Sequence, residues 1–405
     1  MGTPPSAPMD SRVVVAGASL AGLRCAEAVR KAGFTGELAV VGDEPHMPYN
    51  RPPLSKDSLG QPVTPEWLRP GRSATDLTWR LGETLVASDL AAGTVRLASG
   101  EEIGWSGLVV ATGLRPRQLG LPGPSAGRHV VRGLDHANAL RAELAGARSL
   151  VIIGAGFIGC EVAALAASHD IVTSVVAPES VPIERPLGTL LGGQVQRRLE
   201  AAGVRFHLGT VPAEYLGGDR VRGVRLSDGT ELTADVVIEA VGSMPNTEWL
   251  DGNGLDLSDG VLCDADLRVE GRPDVVACGD VARFPNLLFD AVPRRVEHWM
   301  TAVDTAKRAG LVLAGYLRDG ADPDGSFAPV PSFWSNQGPT RIQSFGAPGL
   351  GPDDVRVLEG DLDGEVAVGY HRDGELVGVV LLGLPGRYMF YRRAIEGAAA
   401  RLANG

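Results

Sequence analysis

Two short β-branched runs, each ending in a glycine-rich turn and each followed by a helix-compatible stretch, constrain this chain more than any other feature. The first is Val13-Val14-Val15-Ala16, which leads into Gly17-Ala18-Ser19-Leu20-Ala21-Gly22. Leu23 to Ala32 is helix-compatible, with Leu23, Ala26 and Val29 at helical spacing. Gly33 and Gly36 close that element, and Leu38-Ala39-Val40-Val41 is a second strand ending in Gly42-Asp43-Glu44. Strand, tight turn, helix and strand make a dinucleotide-binding unit when acids stand about twenty residues beyond the turn. Backbone N–H groups at the helix start then face a pyrophosphate, and a carboxylate after the second strand accepts from ribose hydroxyls. The middle glycine of the usual pattern is Ser19 here, which leaves a phosphate less room.

The second unit is intact. Leu150-Val151-Ile152-Ile153 runs into Gly154-Ala155-Gly156-Phe157-Ile158-Gly159, then a helix from Cys160 to about Ser168 and a strand from Ile171 to Val176. Two such turns, about 137 residues apart, predict two dinucleotides on one chain. Landmarks around them say which is which. Leu108 to Val110 ends in Ala111-Thr112-Gly113, Val236 to Val241 ends in Gly242, and Val275 to Cys278 ends in Gly279-Asp280. An aspartate at that last position can accept from the ribitol of FAD while the glycine lets the chain pass close. The order is therefore half of one domain, an inserted domain, then the return. FAD belongs to the outer domain and the nicotinamide dinucleotide to the inserted one.

The predicted fold class is α/β, with two Rossmann-like dinucleotide-binding domains and a small α+β C-terminal domain. The expected boundaries are a disordered tail over 1–11, an FAD domain over 12–120 and 245–325, an NAD(P) domain over 121–244, and the C-terminal domain over 326–405. In that last part, Glu365–Tyr370 and Leu376–Leu382 read as antiparallel strands and about Tyr388 to Leu402 as a helix.

Composition serves mainly to exclude. A chain of 405 residues needs more than one core. A net charge of −11 argues against nucleic acid, and no apolar run reaches the roughly 18 residues of a membrane span. Cys25, Cys160, Cys263 and Cys278 stand far apart without a CxxC, so reduced, mostly buried thiols in the cytoplasm are expected, with neither zinc nor a redox disulfide.

The stretch Val41-Gly42-Asp43-Glu44-Pro45-His46-Met47-Pro48-Tyr49-Asn50-Arg51-Pro52-Pro53-Leu54-Ser55-Lys56 is more specific than any glycine turn. With Pro245-Asn246-Thr247, Val296-Glu297-His298-Trp299 and Phe333-Trp334-Ser335-Asn336-Gln337, it resembles the FAD-dependent ferredoxin reductases of oxygenase and cytochrome P450 systems, relatives of putidaredoxin reductase. The resemblance runs from Arg12 to Arg393 and implies a glutathione reductase-like arrangement of the two nucleotide domains.

It also implies roles. Gly17, Ser19, Leu20, Ala21 and Gly22 would form the FAD turn, and Asp43 or Glu44 would hold the adenosine ribose. Arg51 and Lys56 would lie near the flavin, Lys56 beside N5, with Val86, Ala111, Thr112, Gly113, Arg132, Gly279, Asp280, Glu297, His298 and Trp299 completing that site. Gly154, Gly156, Phe157, Ile158, Gly159 and Gly242 would cradle NADH or NADPH. Glu161 would lie near the nicotinamide and pair with Lys56. Trp334 would bridge flavin and partner or fill an interface between modules.

An ammonium near N5 favours the reduced ring as negative charge grows at N1 and O2. The alternative is that Lys56 caps a turn and Glu161 is a solvated first-turn acid. Three positions depart from the family. Asn50 and Asn336 replace the usual Asp, and Ala177 stands where an acid ends the second unit's strand. Glu179, two residues on, would favour NADH, whereas Arg185 would tolerate the 2′-phosphate of NADPH.

The implied partner is an acidic iron–sulfur ferredoxin that serves a cytochrome P450 or other oxygenase. It would dock on a basic patch of Arg387, Arg392, Arg393 and Arg401 set against the single acid Glu396, with Arg294 and Arg295 as further candidates; the other reading of that helix face is a merely solvated one. A disulfide-reducing relative would need a cysteine within Pro45–Gln61, and there is none. The remaining alternatives are a redox-gated interaction protein like apoptosis-inducing factor and a direct NADH oxidase.

Overall fold

The computed structural model describes residues 11–56 and 63–402, the side chains of 399–402 excepted. Of the expected tail, residues 1–10 lie outside the described residues; Ser11 is buried, and its carbonyl accepts from the Glu37 N–H at 3.0 Å. The chain forms two compact units, each built from three segments. The first comprises Met1–Asn50, Glu66–Arg115 and Pro245–Pro331, and the second Arg51–Pro65, Pro116–Met244 and Ser332–Gly405.

The first unit is organised by a five-stranded parallel sheet in the order Val275–Ala277, Gly107–Val110, Arg12–Ala16, Glu37–Gly42, Thr78–Leu81. Its central strands are β-branched and apolar because they are buried along nearly their whole length: Val13, Val14, Val15, Leu108, Val109 and Val275 are 0% exposed. Helix Leu20–Lys31 packs against helix Trp299–Arg318. Gly310 makes their approach possible, since a Cβ there would sit 2.6 Å from Cβ of Ala28 and 2.7 Å from the Cys25 carbonyl. A three-stranded antiparallel sheet, Leu85–Asp89, Thr94–Leu97 and Glu102–Gly104, completes this unit's larger elements.

The second unit repeats the plan. Its parallel sheet runs Arg205–Leu208, Val172–Ala177, Ser149–Ile153, Val236–Glu239, Arg128–His129. The helix after the second glycine turn is Phe157–Ala167, so it begins three residues before the expected Cys160. Its N-cap is Gly156 in an extended conformation, and the glycine pattern itself therefore supplies the first helical turn.

The C-terminal segment carries a five-stranded antiparallel sheet in the order Ser332–Gln337, Thr340–Gly346, Glu375–Leu382, Val366–Arg372, Val355–Gly360, followed by helix Tyr388–Leu402. Two of those strands and the helix match the expectation. Part of this sheet shares the core of the unit's parallel sheet. Ile342, Val366, Val368, Tyr370, Val380 and Leu382 join one apolar cluster with Leu150, Ile152, Val175 and Ile238. The buried Tyr370 hydroxyl donates to the Leu187 carbonyl at 2.6 Å, which ties this sheet to helix Glu184–Ala201.

Candidate functional site

In the first unit the sequence landmarks converge on one edge. The turn from Gly17 to Gly22, the acids Asp43 and Glu44, the turn Ala111-Thr112-Gly113 and the turn Gly279-Asp280 follow the C-terminal ends of four adjacent parallel strands. Ligands of open α/β sheets bind outside that edge. Local geometry explains why glycines stand there. Gly17 has φ +126°, and a Cβ on it would lie 2.1 Å from the Ala111 carbonyl oxygen; one on Gly22 would lie 1.9 Å from the Gly17 carbonyl oxygen. Leu20 and Ala21 are buried in the helix start, and Ser19 is half-buried at its N-cap.

Three residues without an expected role hold this edge in shape. Asn246 clasps the second turn, its carbonyl accepting from Thr112 Oγ1 at 2.7 Å while its Nδ2 donates to the Thr112 carbonyl at 3.0 Å. Thr305, on the long helix, accepts from the Gly279 N–H at 3.0 Å and donates to the Thr301 carbonyl at 2.7 Å, so the Gly279-Asp280 turn is fixed to a rigid element. Tyr49 donates to Glu44 Oε2 at 2.5 Å, whereas Asp43 is exposed.

Glu297 accepts from Arg295 at 2.8 Å, and Trp299 opens the helix that His298 precedes. Burial of the His298 ring pushes its pKa down to about 4, against the opposing pull of the Asp280 charge. Val86 lies on strand Leu85–Asp89 and is 46% exposed.

The second unit holds the expected Lys56–Glu161 pair. Lys56 Nζ is 2.9 Å from Glu161 Oε2. Glu161 is 5% exposed, which rules out the solvated-acid reading of that residue. Lys56 also donates to the Pro52 carbonyl at 3.0 Å, closing the 3-10 turn Pro52–Ser55. It therefore caps a turn and pairs with Glu161 at once. Ser55 Oγ donates to Glu161 Oε2 at 2.6 Å, and Ser335 Oγ donates to Oε1 at 2.5 Å. Arg51 and Arg132 also come together, Arg51 Nη1 donating to the Arg132 carbonyl at 3.0 Å.

The strand Ser332–Gln337 alternates its side chains. Phe333 stacks edge-on to Phe157 at 4.9 Å, and Ser335 and Gln337 reach the same helix, whereas the half-buried Trp334 belongs to the other face.

The second glycine turn matches the first. Gly154 has φ +106°, with a Cβ there 2.3 Å from the Ala240 carbonyl oxygen, and a Cβ on Gly159 would lie 2.2 Å from the Gly154 carbonyl oxygen. At Gly156 nothing lies within 4 Å of a Cβ position, and Ile158 beside it is 41% exposed. Rigid backbone therefore surrounds one open place at a helix start, which fits a dinucleotide phosphate. Gly242 follows strand Val236–Glu239 on the same edge, also with open space around it. Glu179 is engaged by Arg185, whose Nε lies 3.4 Å from its Oε1.

Several arginines of the expected basic docking patch are paired with acids, some near and some distant in sequence. Arg387 is bridged to Glu359, 28 residues earlier, and Arg392 to Glu396. Arg294 is bridged to Asp290, and Arg295 to both Asp259 and Glu297. Arg387, in the turn before the last helix, is therefore offset by Glu359 and Arg392 on that helix by Glu396, so the net field is weaker than the number of arginines implies. The side chain of Arg401 lies outside the described residues.

Residues 11–306 match the family model described as pyridine nucleotide-disulphide oxidoreductase. The chain belongs to that family. Residues 332–404 match a further model, the reductase C-terminal domain. Among its curated relatives is the rhodocoxin reductase of Rhodococcus erythropolis, 33% identical over 95% of this chain and 89% of that protein. A ferredoxin reductase for the CYP199A2 system from Rhodopseudomonas palustris superposes with a TM-score of 0.85 at 33% identity, covering 95% and 94% of the two chains. The reductase in a covalent putidaredoxin reductase–putidaredoxin complex matches with a TM-score of 0.86 at 27% identity, covering 96% and 93%. Among members of this oxidoreductase family, the pairing of the 11–306 match with the C-terminal match places the chain with the ferredoxin reductases.

Proposed function

We propose that this oxidoreductase accepts a hydride from NADH or NADPH and passes the electrons to an iron–sulfur ferredoxin serving a cytochrome P450 or other oxygenase. The observation that carries the reading is the pairing of half-buried Lys56 with buried Glu161 in a chain whose two parallel sheets each present a glycine turn at the C-terminal edge. Bound FAD would supply two-electron acceptance from the nicotinamide and stepwise release to a one-electron carrier.

The chain's own residues do the rest. The turn from Gly17 to Gly22, with Asp43 or Glu44, Thr112 and Asp280, holds the flavin dinucleotide. Gly154, Gly156, Gly159, Gly242 and Glu179 would hold the nicotinamide dinucleotide, and Lys56 would supply an ammonium that favours the reduced flavin. Val86, Arg51, Arg132, Glu297, His298, Trp299 and Trp334 are assigned to the surroundings of the flavin.

All four cysteines are free and buried. Burial pushes the Cys160 thiol up to about 12, so it is protonated and unreactive at neutral pH. That composition supports neither a disulfide-reducing relative nor an oxidising compartment, and we assign the protein to the cytoplasm. No helix among the described residues is long and apolar enough to cross a membrane.

The test is reduction of cytochrome c with NADH or NADPH, with and without a [2Fe–2S] ferredoxin. Turnover is expected to require the ferredoxin. Equal rates in its absence would overturn the choice of acceptor and favour direct oxidation.

A further inference from the structure

Glu161 is a carboxylate on an otherwise apolar, buried helix face, flanked by Cys160, Val162 and Ala163. A carboxylate there is tolerated only when its lone pairs are met. The donors are divided unevenly between its oxygens. Ser55 and Lys56 both approach Oε2, at 2.6 and 2.9 Å, while Ser335 approaches Oε1 at 2.5 Å. Ser335 lies 174 residues further along the chain, in the C-terminal sheet.

Gln337 sets the direction of that hydroxyl. Its Nε2 donates to Ser335 Oγ at 2.7 Å and reaches the Phe157 carbonyl at 3.4 Å. A hydroxyl carries a single hydrogen. With an amide N–H already pointing at its oxygen, the Ser335 hydrogen is left for Glu161. Rotating the amide by 180° would set its oxygen against the Phe157 carbonyl and take the Ser335 hydrogen away from the carboxylate, so both contacts select the orientation described. The remaining Oε1 of Gln337 is buried without a partner among the described residues, which leaves the Nε2 contacts as what holds the amide in place.

We propose that Ser335, oriented by Gln337, is a positioning residue for the Lys56–Glu161 pair: it occupies one carboxylate oxygen, so that the other is presented to the ammonium. The C-terminal sheet thereby helps set the geometry of a pair placed in the nucleotide-binding part of the same unit. This rests on the reductase reading only for its consequence in turnover; the clamp itself is a property of the chain.

The test has an arm that needs no flavin. In apoprotein carrying isotope-labelled glutamate, the carboxylate stretching bands of Glu161 are read by difference infrared spectroscopy, with Glu161→Gln identifying the signal. Ser335→Ala is expected to change the splitting between the antisymmetric and symmetric bands, because one oxygen loses its donor while the other keeps both of its own. Ser335→Thr, which keeps the hydroxyl, is expected to restore it. Gln337→Met is expected to change the splitting in the same direction by less, and keeps the idea testable if Ser335→Ala fails to fold.

In flavin-loaded protein Ser335→Ala should slow flavin reduction by NADH by up to about tenfold, with Ser335→Thr restoring the rate. An unchanged band splitting in a folded Ser335→Ala or Gln337→Met protein would overturn the clamp. A changed splitting with no flavin binding would instead leave the clamp standing and remove the reductase reading.

Discussion

At Gly17 and at Gly154 the backbone follows one design. Each glycine takes a positive φ beneath a neighbouring strand's carbonyl, Ala111 in one case and Ala240 in the other, and each is followed five residues later by a glycine pressed on the first one's carbonyl. The turns part company at the middle position, where Ser19 is half-buried and Gly156 is exposed with open space around it. They also differ beyond the turn. The first helix carries Arg24 and Glu27 paired with each other at its surface, and the second carries Glu161 inside a buried network. Positions that touch backbone are thus held in common, and positions that face a ligand or a partner element are where the two units diverge.

The strongest way to break this comparison is to replace the shared glycines. Gly17→Ala and Gly154→Ala each force a side chain into a left-handed conformation and onto a carbonyl, at a cost of about 3 kcal/mol. Denaturant unfolding should show similar losses. Gly17→Ala should abolish flavin absorbance, whereas Gly154→Ala should keep the flavin and lose nicotinamide dinucleotide binding. Loss of flavin from both would mean that the two turns do not serve separate ligands.

A smaller effect separates the two helices. Lys56→Ala should retain the flavin but slow its reduction by NADH about 10- to 100-fold, since one oriented charge near developing charge is worth roughly that much. Unaltered stopped-flow kinetics would remove the lysine's role.

Exchanging the middle residue sharpens the comparison further. Gly156→Ser imports the first turn's residue into open space. Its melting temperature should stay unchanged, while its NADH affinity weakens by up to about tenfold, or about 1.4 kcal/mol. Full NADH affinity would show that the second turn tolerates serine as the first does.

The smallest effect concerns the acid after the strand. The Glu179–Arg185 pair is exposed on the arginine side and worth under about 1 kcal/mol. Arg185→Ala should leave Glu179 unopposed and lower kcat/KM for NADPH about two- to fivefold relative to NADH. No change in that ratio would place both residues outside the dinucleotide site.

What was legible in the sequence was what is written locally. Strand, glycine turn, helix and acid occur within about thirty residues, so the two units, their order and the converging edges could be read from Val13 to Glu44 and from Leu150 to Val176. The final helix was legible for the same reason. Ser55, Ser335 and Gln337 stood inside recognised motifs, yet their purpose was hidden, because the carboxylate they serve is 106 and 174 residues from the two serines. Thr305 and Asn246 likewise act across 26 and 134 residues. The pairing within the basic patch was half hidden for a related reason: Asp290 and Glu396 stand four residues from their arginines, whereas Glu359 and Asp259 are 28 and 36 residues away.

The position of Val275–Ala277 at the end of the first sheet, hydrogen-bonded to Gly107–Val110, bears on the order in which the protein is made. During synthesis the strands from Arg12 to Val110 emerge early but wait for a neighbour more than 160 residues downstream, and the ends of that long loop must be brought together before the sheet closes. The intervening parallel sheet can pair its own strands in the meantime. Folding on the ribosome is therefore expected to run from the middle of the chain outward, with the amino-terminal nucleotide fold finished only after the segment that interrupts it.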